Sequence, residues 1–207
     1  MTFLGNRVVV VNHRLSNLNS IVRALEECGA DVVVAERPAD LATANRIVIP
    51  GVGAFPAAMR NLDADGFSDA LRGEISRRAL PILGICLGMQ LMAESGTEME
   101  VTSGLGFIPG EVVKFEPASD ERVPHIGWNE VETVGGHPLF AGIASGTDFY
   151  FVHSYHLRCD GEHVLARTPY CGSFVSAAAN GLAMAVQFHP EKSQKAGFRV
   201  LRNFIAL

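Results

Sequence analysis

Gly84-Ile85-Cys86-Leu87-Gly88 sets one cysteine between two glycines, directly after the apolar run Pro81-Ile82-Leu83 and directly before the helical pattern of Met89-Gln90-Leu91-Met92. Glycine, any residue, nucleophile, any residue, glycine between a strand and a helix is the plan of a nucleophile elbow. The glycines permit a sharp turn that lifts the central side chain above the carboxyl edge of a sheet. Cys86 then stands at a helix N-terminus, where unpaired N–H groups favour thiolate. A free thiol with a pKa of about 8.5 is only a few per cent ionised at neutral pH, and lowering it to about 7 raises the thiolate fraction by little more than tenfold. One oxyanion donor is worth roughly 100- to 1000-fold. The backbone around the cysteine therefore matters more to rate than the acidity of the thiol.

Val186-Gln187-Phe188-His189-Pro190-Glu191 supplies the base that such a nucleophile needs. Pro190 biases His189 toward extended backbone and cannot lie inside a central strand, so the segment reads as a strand end. In extended chain His189 and Glu191 project to the same side. A carboxylate beside an imidazole fixes its tautomer and stabilises imidazolium, the third role in a nucleophile–base–orienter set. Standing alone, the segment reads equally well as a solvated surface turn; beside the elbow, the catalytic reading is the better one. His153 and His156 are competing bases, but they lie in a strand pattern without an adjacent acid, so packing or substrate contact suits them better. No spacing among the seven histidines satisfies a zinc signature, and no metal site is expected.

The elements that must position these groups alternate in the first half. Val8–Val11 reads as a strand, followed by a helix capped at Ser16 or Asn17 whose Leu18, Ile21, Val22 and Leu25 share a face up to Cys28-Gly29. Val32–Val34 and Ile47–Ile49 follow, then a helical region over Ala57–Leu80 broken near Gly66, then Pro81–Ile85. Strands apolar throughout and separated by helices predict a parallel sheet covered on both faces. The second half reads as strands over Glu111–Phe115, Asn129–Val134, Phe149–Leu157, His163–Arg167, Phe174–Ala179 and Leu182–Phe188, some antiparallel, and a final helix over Lys195–Ala206. The expectation is one α/β domain over residues 1–207, with a mostly parallel central sheet, helices on both faces and added antiparallel strands late in the chain.

Composition narrows the function further. The chain has 207 residues, of which 48% are hydrophobic, enough for a sizeable core. With 17 Lys and Arg against 22 Asp and Glu, the formal charge is −5, which disfavours nucleic acid as a partner. No apolar run approaches the roughly 18 residues of a membrane span. Met1–Arg7 runs straight into the first strand without a signal peptide's plan. Cys28, Cys86, Cys159 and Cys171 contain no C-x-x-C pair, so reduced thiols and a cytoplasmic location are expected. A small buried cysteine is the usual fate of a free thiol, and Cys28, Cys159 and Cys171 are read that way.

The elbow Gly84–Gln90 with His189-Pro190-Glu191 resembles the class I, or triad, glutamine amidotransferases. Within them, Pro50–Phe55, Gly104–Gly110, Pro124–Glu130, Tyr150–Tyr155 and Gln187–Ser193 are similar to one branch, the glutaminase subunits of imidazole glycerol phosphate synthase. The similarity covers nearly the whole chain, and Pro124-His125-Ile126-Gly127-Trp128-Asn129 is its most branch-specific piece. It implies a single-domain flavodoxin-like amidotransferase fold, no cofactor, and Cys86, His189 and Glu191 as nucleophile, base and orienter. Glutamine would be hydrolysed through a glutamyl thioester, with oxyanion donors from the backbone N–H of Leu87 and from Val52 or Gly53. Gly53, Gln90, Ser154 and Tyr155 match substrate-holding positions. By an ungapped count Glu98 meets the glutamine α-ammonium, with Glu94 and Glu100 close enough to compete. The resemblance also implies a (β/α)8 cyclase partner that takes the ammonia in histidine biosynthesis, with Asn17, Trp128 and Lys192 at the contact surface.

One segment departs from the family. Where the branch usually has Asp-Tyr-Gly-x-Gly-Asn-Leu after the first strand, this chain has Asn12-His13-Arg14-Leu15-Ser16-Asn17-Leu18. Both glycines are replaced, so a turn requiring positive φ would form less readily there, close to the partner-facing loop. Three other readings compete: a glutaminase serving anthranilate, aminodeoxychorismate or pyridoxal phosphate synthesis; a cysteine peptidase or γ-glutamyl hydrolase on the same fold; and a non-enzymatic module with a degenerate site.

Overall fold

The valines of Val8–Val11 lie in strand β1 (Arg7–Val11), from which the sheet is built outward. A computed structural model of the chain describes residues 5–117 and 121–207. Residues 1–4, which carry most of the reading of the N-terminus as leaderless, lie outside the described residues. Strand β1 pairs in parallel with β2 (Asp31–Ala35) and β3 (Arg46–Gly51). β3 pairs in parallel with β4 (Ile82–Cys86), and β4 with β13 (Ala183–Val186), giving the order β2-β1-β3-β4-β13. This is the flavodoxin-like arrangement of a parallel sheet.

Alternation along the strands divides the core between two faces. Val9, Val11, Ile47 and Ile49 pack with Phe55, Leu62, Phe67 and Leu71 of α2 (Phe55–Ala64) and α3 (Phe67–Arg78). Val8, Val10, Val48, Leu83 and Ile85 pack with Ile21 and Leu25 of α1 (Leu18–Glu27) and with Val200, Leu201 and Phe204 of α5 (Gln194–Ala206). Asn17 rather than Ser16 holds the N-cap of α1, and Gly29 ends that helix at φ 92°. The expected helical break falls at Gly66, which adopts φ 78° between α2 and α3.

Beyond β13 the sheet becomes largely antiparallel. It continues through β12 (Phe174–Asn180), β10 (Tyr155–Arg158) and β7 (Glu111–Lys114) to the short strands β5 (Ser95–Gly96) and β6 (Thr102–Ser103). A branch runs from β12 through β11 (Val164–Thr168) and β8 (His125–Thr133) to β9 (Thr147–His153). The expected strand over Phe149–Leu157 is therefore two strands, β9 and β10, interrupted at Ser154. Strand β8 begins earlier than the expected Asn129, because Gly127 interrupts the hydrophobic alternation while still pairing with Phe151. Among the described residues no helix is long and apolar enough to cross a membrane.

Candidate active site

Strands β4 and β13 are parallel neighbours with Ile85 opposite Val186, so Cys86 and the segment after Val186 emerge at the same carboxyl edge. That is how two groups far apart in sequence meet. Ligands of open α/β sheets bind at this edge.

The elbow glycines are there for space. A Cβ on Gly88 would overlap the Ile49 carbonyl oxygen, and one on Gly84 would sit 2.5 Å from the Met92 sulfur and 2.6 Å from the Gly88 carbonyl oxygen. Helix α4 (Leu87–Leu91) can thus press against β3 and β4. Cys86 between them adopts φ 54° and ψ −109°, a strained conformation for a residue with a side chain. Because α4 has only 5 residues, its dipole contributes less to the sulfur's surroundings than the sequence pattern suggests.

His189 donates from Nδ1 to Glu191 Oε1 at 2.8 Å, with the two side chains only 3% and 5% exposed. Its backbone is held by N–H donation to the Tyr150 carbonyl at 2.9 Å and by the Ser193 hydroxyl donating to its carbonyl at 2.7 Å. Nδ1 being occupied, Nε2 is the nitrogen available as a base, and it is buried on the side of the ring that faces Cys86. Burial alone would push the imidazole pKa down. Cys86 and Glu191, by hydrogen bonding and charge, outweigh that and raise it to about 10. The sulfur itself faces the Val152 carbonyl at 3.8 Å.

Over the sulfur opens a cleft of about 340 Å³, and every residue expected to hold substrate lines it: Gly53, Gln90, Glu98, Ser154 and Tyr155. Val52 and Leu87 line it as well. Of the three competing acids only Glu98 is in the wall, where its Oε2 accepts from the Phe55 N–H at 2.6 Å. Glu94 accepts from the Gly110 N–H at 3.0 Å, and Glu100 pairs with Arg60 at 3.1 Å. Gln90 is turned so that its Nε2 donates to the Tyr155 carbonyl at 2.9 Å and to Gln187 Oε1 at 3.1 Å, leaving its own oxygen to contact a ligand.

The loop after β3 does not present all its donors to the cleft. The Val52 N–H donates to the Leu15 carbonyl at 2.8 Å, so serving an oxyanion requires that bond to break. His13, fully buried, donates from Nε2 to the neighbouring Pro50 carbonyl at 2.6 Å. The departure at residues 12–18 thus braces the cleft loop directly. Arg14, at the first replaced glycine, does adopt positive φ, 69°, and pairs with Asp65; Ser16 does not need it. The competing bases are unsuited. Burial lowers the pKa of His153 to about 3 and that of His156 below its ordinary value, and His156 stacks on Phe115 at 4.7 Å.

The expected partner residues lie on the same side. Asn17 borders a small cavity with His189 and Glu191. Trp128 is 48% exposed on β8, edge-on to Tyr150 at 6.0 Å, and Lys192 Nζ stands 5.7 Å from the Tyr150 ring. Two further residues emerge only from the structure. Ile126, 61% exposed, extends the Trp128 face, and strand alternation is the signal that could have found it. Gln187, fully buried, meets Cys86 from the strand side; its spacing two before His189 places it on the same side of extended chain.

A family model for class-I glutamine amidotransferases matches residues 9–207. An imidazole glycerol phosphate synthase subunit HisH of Campylobacter jejuni (strain RM1221) is 46% identical over 200 residues, covering 97% of this chain and all of its own. The HisH subunit of Cereibacter sphaeroides is 45% identical, covering 95% of this chain and 97% of its own; that of Archaeoglobus fulgidus is 43% identical, with 96% and 97% covered. A solved structure described as a glutamine amidotransferase superposes with a TM-score of 0.75 at 19% identity over 96% of this chain and 99% of its own. The structure of PurLQS from Thermotoga maritima gives 0.74 at 18% identity, over 98% of each chain. The two superpositions speak for the fold.

Proposed function

The chain belongs to the class-I glutamine amidotransferases, and from that membership we propose that it is the glutaminase subunit of an imidazole glycerol phosphate synthase in histidine biosynthesis. The observation that carries the chemistry is His189 fixed by Glu191 through Nδ1, with its free Nε2 beside a sulfur raised on a strained elbow. Cys86 attacks the side-chain amide carbon of glutamine; His189 delivers a proton to the nitrogen as the C–N bond breaks and ammonia leaves. His189 then takes a proton from water, whose oxygen displaces the sulfur to give glutamate. Glu191 keeps the imidazole oriented and stabilises its charged form. Glu98 offers a carboxylate to the α-ammonium.

The Leu87 N–H and a donor from Val52 or Gly53 hold the oxyanion. With the Val52 N–H occupied by Leu15, one donor is withheld, and a missing donor costs roughly 100- to 1000-fold. Turnover by the isolated chain is accordingly weak. The partner is a (β/α)8 cyclase that docks over Asn17, Ile126, Trp128 and Lys192 and consumes the ammonia, both proteins being cytoplasmic. Glutamate release measured with and without that cyclase tests the reading. Strong stimulation supports it, and indifference to the cyclase, or peptide cleavage in its place, refutes it.

A further inference from the structure

Gln187 sits wholly inside the protein with its Nε2 3.7 Å from the Cys86 sulfur. Which end of this amide faces the sulfur follows from its neighbours. The Tyr155 carbonyl carries no proton, so both groups that reach it must donate: His153 Nδ1 at 2.8 Å and Gln90 Nε2 at 2.9 Å. That fixes Gln90 with its nitrogen toward Tyr155. The second N–H of the same nitrogen meets Gln187 at 3.1 Å, so Gln187 must present its oxygen there. An amide that shows oxygen on one side shows NH2 on the other, and the other side is the sulfur. The same carbonyl orders a second arm. With His153 Nδ1 donating, its Nε2 accepts from His125 Nδ1 at 3.0 Å, and His125 Nε2 accepts from Asn129 Nδ2 at 3.2 Å.

We propose that Gln187 is a further catalytic residue, donating its Nε2–H to the Cys86 sulfur as the sulfur gains negative charge. Gln90 and the Tyr155 carbonyl are positioning groups that keep the Gln187 amide the right way round. The proposal rests on Cys86 as the nucleophile. A hydrogen bond to a charged acceptor is stronger than one to its neutral form and favours the anion by about tenfold or more. The ionisable groups around the sulfur are His189 with Glu191 behind it, from the segment after β13, neutral His153 from β9, and Glu98 across the cleft. None of them presents a neutral N–H at the position Gln187 occupies.

The test is the pH dependence of Cys86 alkylation by iodoacetamide, read by peptide mass mapping so that Cys28, Cys159 and Cys171 are counted separately. In Gln187→Met, which keeps length and removes the donor, the midpoint of the pH profile rises by about one pH unit and alkylation at neutral pH slows by about tenfold. Gln90→Leu, which frees Gln187 to turn, moves the midpoint the same way by less. A folded Gln187→Met with the wild-type midpoint overturns the proposal. If that variant does not fold, Gln90→Leu decides: a raised midpoint supports the donor and an unchanged one overturns it. Iodoacetamide reads the sulfur whatever the substrate, so a shifted midpoint in a protein that never releases glutamate would refute the glutaminase reading alone.

Discussion

Glu191 accepts the Nδ1–H of His189 at 2.8 Å in a pocket that leaves both side chains nearly inaccessible to water. A carboxylate so placed dictates which imidazole nitrogen is free, and it stabilises the protonated ring. Glu191→Gln keeps the volume and removes the charge. Glutaminase kcat in the presence of the cyclase is expected to fall by roughly 10²- to 10⁴-fold with little change in KM. Steady-state glutamate release checks this.

The same relationship sets a pH dependence of stability. The folded-state pKa of His189 is about 10, above its ordinary value of 6.5. A group raised on folding contributes stability that is fully present below its unfolded pKa and is lost as pH rises through the folded one. Denaturant midpoints of the wild type are expected to decline between pH 6.5 and 10, and Cys86→Ala flattens that decline. An equal slope in both proteins would contradict the assignment of Cys86 as a partner of the ring.

Glu98→Gln removes the carboxylate that lines the cleft without changing its shape. KM for glutamine is expected to rise by about tenfold or more, the cost of leaving a cation without its charged partner. Glu94→Gln and Glu100→Gln, whose carboxylates are engaged outside the cleft wall, leave KM within twofold or so.

Much of the scaffold is legible in the residues alone. Unbroken valine and isoleucine runs are the mark of strands buried on both faces, and Gly66 and Gly29 stand where helices must end. The elbow is legible because two glycines and a cysteine leave little choice of turn. What escapes is whatever depends on how strands meet. Ser154 interrupts a run that looks continuous, since a break between two sheet branches leaves no trace in periodicity. The engagement of the Val52 N–H by Leu15 is a backbone contact between separate loops, invisible to side-chain pattern. Gln187 is one more polar residue at a strand end until its buried partners are in view. Arg14 shows that a missing glycine need not abolish a left-handed turn, given a salt bridge to Asp65.

Trp128 offers a test of the docking face. Aromatic anchors at interfaces commonly lose about 2 kcal/mol or more on truncation. Trp128→Ala is expected to weaken cyclase binding by about thirtyfold or more in calorimetric titration, because 1.4 kcal/mol is tenfold in affinity. Basal glutamate release by the isolated chain stays unchanged.

The most direct measurement for the central claim is covalent labelling of the nucleophile. A diazoketone analogue of glutamine, incubated with the protein and its cyclase, is expected to form one adduct, on the Cys86 peptide by mass spectrometry, with activity lost in proportion. Cys86→Ala should give neither adduct nor glutamate. An adduct at another residue, or glutamate release persisting in Cys86→Ala, would contradict the assignment of Cys86 as the nucleophile.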